Sequence, residues 1–245
     1  MTDDYSDALL ITVPHGYCKP MWQINSGHRI GQHLCDNTAD TAGELMYKSI
    51  IEKMPHVDVT IMINGTIRPL SDLNRKSSRK TCFRKAVKKW LSSKIIKYGE
   101  NHVWLFDVHS FPAGVQSFGE IDSDIVILDP RPDIELMDTF SLSLFRVLHE
   151  LTPVSVKLLK GGRNDIADYA RYFNIAGVTL LEFNEQIPSN GLKMIVGLII
   201  DWLDGWMELN DKITSSVDSI ESDYLDGCEF CQKSNNQSEH CVKQG

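Results

Sequence analysis

Short apolar runs of strand length alternate along this chain with stretches of helical spacing, and that alternation constrains the fold more than any other feature. Residues 8–13, 57–63, 103–108, 124–128, 154–159 and 178–183 are the apolar runs. Between them, 38–54 carries Ala42, Leu45, Met46, Ile50 and Met54 at helical spacing, and 77–97, 134–151, 165–173 and 191–209 also read as helices. Asn64-Gly65 and Lys160-Gly161-Gly162 supply turn and loop signals. Strands separated by helices predict an α/β fold of three layers, α/β/α, around a mixed, largely parallel central sheet.

In sheets of this kind, binding sites gather beyond the carboxyl ends of the strands. Four polar islands fall at such ends: Val13-Pro14-His15-Gly16, the segment 68–75, Asp107-Val108-His109-Ser110-Phe111 and Leu180-Leu181-Glu182-Phe183-Asn184. They supply two imidazoles, a carboxylate suited to general-base work and an Asn-Arg pair able to clamp an anion. A catalytic zinc ion takes three protein ligands and keeps one position for water. His15 and His109 are the best two candidates, because each follows a strongly apolar run and is followed at once by Gly or Ser. The third ligand is open between Cys18, three residues after His15, and Asp40, which equally suits a helix N-cap.

Glu182 is placed to act as the base beside a metal-bound water. Arg75 with Asn74 suits a substrate carboxylate, since a guanidinium donates two parallel hydrogen bonds to it. Arg68 is the candidate for stabilising an oxyanion. Asp72 and Asp107 are candidates for holding imidazoles in the metal-binding tautomer. Each has a plainer alternative: a hydrogen-bonded structural histidine, a buried Glu neutralised by Arg, or a surface ion pair.

Composition narrows the class. A chain of 245 residues has room for one large domain, expected over 1–209, with a polar, flexible tail over 210–245. The start of the chain is acidic, and the longest apolar run, 194–200, is too short for a bilayer, so a soluble cytoplasmic protein is expected. A net charge of -8 argues against general nucleic-acid binding. The charge is uneven: 75–97 holds ten Lys or Arg and no acid, whereas 215–226 is acidic. Such a basic stretch is either a solvated helix face or an attractor of anionic substrates or polymers.

Six cysteines are too few and too scattered for a disulfide framework. Cys228, Cys231, His240 and Cys241 crowd the tail, but adjacent His and Cys chelate awkwardly and eight residues separate the halves. The tail is therefore not read as a second, structural zinc site.

Taken together, the islands resemble the N-formylglutamate amidohydrolase family, which shares its fold with the zinc carboxypeptidases. His15 after its apolar strand corresponds to the family's first metal histidine, and Asp40-Thr41-Ala42-Gly43 is similar to its Asp-hydrophobic-Gly-Ala helix start. The segment from Arg68 to Arg75 fits Arg-x-x-x-Asp-x-Asn-Arg, and His109-Ser110-Phe111 the second metal histidine. Leu181-Glu182-Phe183 resembles the strand that carries the catalytic glutamate, so the likeness is spread over residues 9–186 in fixed order. The resemblance implies one catalytic Zn2+ on His15, Asp40 and His109, with Asp40 preferred because Cys18 stands where the carboxypeptidases have Glu. It implies hydrolysis of an amide next to a free carboxylate in a small acidic amide or peptide. Alternatives are a carboxypeptidase or poly-glutamate hydrolase, favoured if the basic stretch lines the cleft, and a non-catalytic binding protein retaining the fold. Asn184 departs from the family, which commonly has Arg there, and that bears on substrate choice.

Overall fold

The computed structural model describes residues 5–16, 36, 38–64, 73, 80–112, 123–130, 139–151, 153–160 and 165–226, with side chains to 213. Its strands are β1 (Asp7–Val13), β2 (Val57–Ile63), β3 (Val103–Phe111), β4 (Ile125–Asp129), β5 (Val156–Lys160) and β6 (Gly177–Asn184). Its helices are α1 (Ala39–Lys53), α2 (Cys82–Tyr98), α3 (Thr139–Leu151), α4 (Ile166–Ala170) and α5 (Ser189–Asp226). The chain divides into two compact units, Met1–Trp202 and Leu203–Gly245, and the whole sheet lies in the first.

Strand order is β2-β1-β3-β6-β4-β5, parallel throughout except for the antiparallel pairing of β4 with β6. The sheet is thus mixed and largely parallel, as the alternation of segments predicts. Nearly every residue of β1, β3, β4 and β6 is buried, which fits near-continuous apolar runs covered on both faces. On one face, Ala8, Leu10, Val103, Leu105, Val126, Leu128, Val178 and Leu180 form a single cluster with Val87, Trp90 and Leu91 of α2 and Ile166 and Ala170 of α4. On the other face, Phe140 of α3 packs on Trp104, Phe106 and Trp202, with ring centroids 5.4, 5.8 and 4.9 Å away. Each such side chain contributes about 1.5–3 kcal/mol by leaving water.

Close approach explains two glycines. A Cβ on Gly43 would stand 2.7 Å from Val13 Cγ2, so only Gly lets α1 lie against the end of β1. A Cβ on Gly177 would meet Phe140 Cγ and Trp104 Cε3 at 2.8 Å each. Gly177→Ala is therefore expected to destabilise the fold by about 1–3 kcal/mol through overpacking, despite Ala's backbone advantage of roughly 0.5–1 kcal/mol. Urea unfolding reads this directly; a midpoint at or above wild type would contradict the packing described.

Two boundaries differ from the sequence expectation. β3 continues to Phe111, because Ser110 and Phe111 go on pairing with Phe183 and Asn184, and His109 therefore lies within the strand. α5 reaches Asp226 instead of ending near Leu209. No Gly or Pro interrupts 206–226, and Ile213, Val217 and Ile220 recur at helical spacing. The tail cysteines fall outside the described residues. No helix among the described residues is long and apolar enough to cross a membrane.

Candidate metal centre

β1, β3 and β6 run in the same direction, so their carboxyl ends lie along one edge of the sheet. His15 follows β1 in a turn that is held from the neighbouring strand: Asn64 donates its backbone N–H to Val13 O at 3.0 Å and its side-chain amide to Pro14 O at 2.9 Å. Asn64 is itself buried, so the turn signal at Asn64-Gly65 also fixes the entry to His15. His109 comes from β3, and the two imidazoles meet edge to face with centroids 5.2 Å apart. Both are almost fully buried, at 1% and 2% exposure.

The third member of this group is Asp36, just before α1. Its Oδ2 lies 3.4 Å from His15 Nδ1 and 3.1 Å from His109 Nδ1. Its backbone N–H donates to His15 O at 2.9 Å, so the main chain sets the same juxtaposition. His15, Asp36 and His109 each offer one ligand atom, all within 4.8 Å of one another. Asp40 is the second residue of α1, half-buried, with Oδ1 accepting from its neighbour Thr41 N at 2.7 Å. The carboxylate between the imidazoles is thus that of Asp36, and Asp40 is not in that group. Cys18, the other candidate, lies outside the described residues.

Asp107 sits directly behind His109, fully buried. Its Oδ1 accepts from Thr12 Oγ1 at 2.7 Å, and its Oδ2 from the N–H groups of Ile166 and Ala167 at 3.0 and 3.1 Å. The same Oδ2 lies 3.4 Å from His109 Nε2. With Nδ1 toward Asp36 and Nε2 toward Asp107, the ring orientation of His109 is set from both sides. Ser110 adds a further tie: its Oγ accepts from Thr38 N at 3.2 Å and donates to Glu185 Oε1 at 3.1 Å. This joins the end of β3 to the segment bearing Asp36.

Electrostatics at the centre favour a cation. Burial works against the charge on Asp36, but hydrogen bonds from His109 and His15 outweigh it and hold its carboxyl well below the usual range. Burial likewise disfavours protonated His109, yet the charge of Asp107, its hydrogen bond, that of Asp36 and the charge of Glu182 hold it well above 6.5. Asp165, which caps α4, is raised to about 7 by burial and by the charge of Asp107. Two imidazoles and an ionised carboxylate in a dry, negative site form a donor set that fits a divalent ion, which would replace the proton shared among them.

Glu182 is in register with His109 across the β3–β6 pair, so both side chains leave the same face of the sheet. It is half-buried. Arg68, Asp72, Asn74 and Arg75 lie outside the described residues. Leu73, between them, is buried, and its carbonyl accepts from Arg84 Nη2. Sequence pattern places Arg84 in a basic helix read either as a solvated face or as an attractor of anions, but it is 3% exposed, its Cζ 5.8 Å from the Tyr169 ring centre. Asp36 also escaped sequence reading. Its only signal is an Asp two residues before the Thr that opens a helix, which reads as a cap.

The sequence matches no family model and no curated protein. Solved structures share the fold. The gene product Atu2144 of Agrobacterium tumefaciens superposes with a TM-score of 0.57 at 14% identity, covering 87% of this chain and 92% of its own. N-formylglutamate amidohydrolase of Ralstonia eutropha JMP134 also gives 0.57, at 13% identity, covering 85% and 95%. At the level of fold, this agrees with the resemblance carried by the islands.

Proposed function

We propose that this protein is a zinc-dependent hydrolase of an amide bond next to a free carboxylate, similar to N-formylglutamate amidohydrolase. The observation that carries the reading is the buried His15–Asp36–His109 group at the carboxyl edge, with Glu182 in register beside it. The metal would be held by His15, His109 and Asp36, the last in place of Asp40. A zinc ion held there would supply a Lewis acid and would lower the pKa of a bound water to near neutrality. Asp107, whose Oδ2 lies 3.4 Å from His109 Nε2, orients the His109 ring. Glu182 takes a proton from the attacking water and returns it to the leaving nitrogen. Arg68 stabilises the oxyanion, while Asn74 and Arg75 hold the substrate carboxylate; these three roles rest on their places in the 68–75 segment.

Turnover of N-formylglutamate and other N-acylated acidic amino acids by the zinc-loaded protein tests the reading. Esterifying the carboxylate should lower kcat/KM about ten- to hundredfold, the scale of one lost charge-assisted hydrogen bond of roughly 1.5–3 kcal/mol. Arg75→Ala should respond weakly to the same esterification. Equal sensitivity in both proteins would remove Arg75 from the carboxylate site, and absence of turnover across the series would favour a binding protein.

A further inference from the structure

We propose that the outer face of α2 docks an acidic peptide, so that the acyl side of the scissile amide is a short anionic peptide chain. The proposal rests on the amide-hydrolase reading and names its substrate class. Lys85, Lys88 and Lys89 on α2, and Lys80 two residues before it, are all exposed. None of the four forms an ion pair or hydrogen bond with a described residue. Lys94, on the same helix, behaves differently: it pairs with Asp58 and is mostly covered.

Stability does not account for the four lysines. The first turn of α2 holds no acidic residue, although an acid there would complement the helix dipole. Lys85 with Lys88 and Lys89 makes like-charge pairs at spacings of three and four, each unfavourable by a few tenths of a kcal/mol. The whole chain carries a charge of -8, so this face runs against the sign of the molecule.

Topology puts the face where a substrate would need it. β2 runs toward the carboxyl edge with β1, and α2 begins after the connection from it. Arg84, on the inner side of α2, donates to Leu73 O within the proposed carboxylate-binding segment. The lysine face therefore starts near the proposed active-site edge and leads away from it. From Lys85 to Lys89 a helix rises about 6 Å, which about two residues of an extended peptide would span.

A peptide fits better than a nucleic acid. Single-stranded nucleic acids are held by stacking on exposed rings. In α2, Phe83, Trp90 and Tyr98 are buried or half-buried, and the exposed apolar side chain is the aliphatic Ile96, 87% accessible. On hydrolysis, water adds across the amide: the C–N bond breaks, a C–O bond forms, and the shortened peptide leaves with a new carboxylate as the terminal amino acid takes the proton.

The test is fluorescence anisotropy of a fluorescein-labelled hexaglutamate peptide with the full-length protein in a Glu182→Gln background, where the peptide survives. The assay needs no turnover, so it separates this surface from the hydrolase reading. K85E/K88E/K89E should weaken binding at least tenfold at 50 mM NaCl. Wild-type affinity should fall severalfold between 50 and 300 mM NaCl as screening shortens the reach of the charges. K48E/K193E, which reverses two exposed lysines elsewhere, should stay within about twofold. Unchanged binding in the triple variant, an equal loss in K48E/K193E, or tighter binding of oligothymidylate than of hexaglutamate would each overturn the proposal.

Discussion

Asp36→Ala should leave the purified protein without stoichiometric zinc, while Asp40→Ala should retain about one ion per chain. Asp36 brings the one carboxylate oxygen that faces Nδ1 of both His15 and His109, whereas the Asp40 carboxylate is turned back on Thr41 N. Removing one of the three proposed ligands should leave a chelate too weak to survive dialysis against a mild chelator. His15→Ala and His109→Ala should empty the site in the same way. Elemental analysis after dialysis, with circular dichroism to confirm folding, reads the result. Full zinc occupancy in Asp36→Ala with loss in Asp40→Ala would move the third ligand back to Asp40. Loss in Cys18→Ala, with Asp36→Ala loaded, would move it to the thiolate.

The second large effect concerns Glu182. Glu182→Gln preserves shape and hydrogen-bonding capacity but cannot accept the proton, so zinc should remain while kcat falls on the order of a hundredfold to ten-thousandfold. Because Glu182 shares a register with His109, the uncharged amide also removes one of the negative charges that hold His109 above 6.5. The same substitution therefore makes a separate, ligand-free readout: His109 in the chelated protein should titrate at a lower pH by NMR. Wild-type turnover in the variant would exclude Glu182 as the base, whatever the titration showed.

The parts of this molecule that were legible in the sequence are those where hydrophobicity and chemistry coincide. His15, His109 and Glu182 interrupt or terminate apolar runs, and a polar group there is costly unless it serves a purpose. Their convergence also follows from the alternation of strand and helix, which sends strands to one edge. Asp36 was not legible, because an acid just before a helix is the commonest of caps and carries no mark of a partner 73 residues away. Arg84 was hidden by its neighbours: nothing in a run of ten basic residues says which one turns inward to a carbonyl. The antiparallel setting of β4 depends on which edge β6 leaves open, a property of the assembled sheet and of no single segment.

That setting has a consequence for how the chain is made. β6 is the last of the described strands in sequence, yet it occupies the fourth place in the order β2-β1-β3-β6-β4-β5. Without residues 177–184 the described strands fall into two groups, β2-β1-β3 and β4-β5, and β3 and β4 each lack the neighbour that joins them. Exposed edges of this kind template wrong pairings. A nascent chain that pairs these strands before β6 is made carries two unfinished sheets for the interval that it takes to translate from β5 to β6. Slowing elongation between residues 160 and 177 would lengthen the period of greatest aggregation risk, and the strand that ends it also carries Glu182, the proposed base.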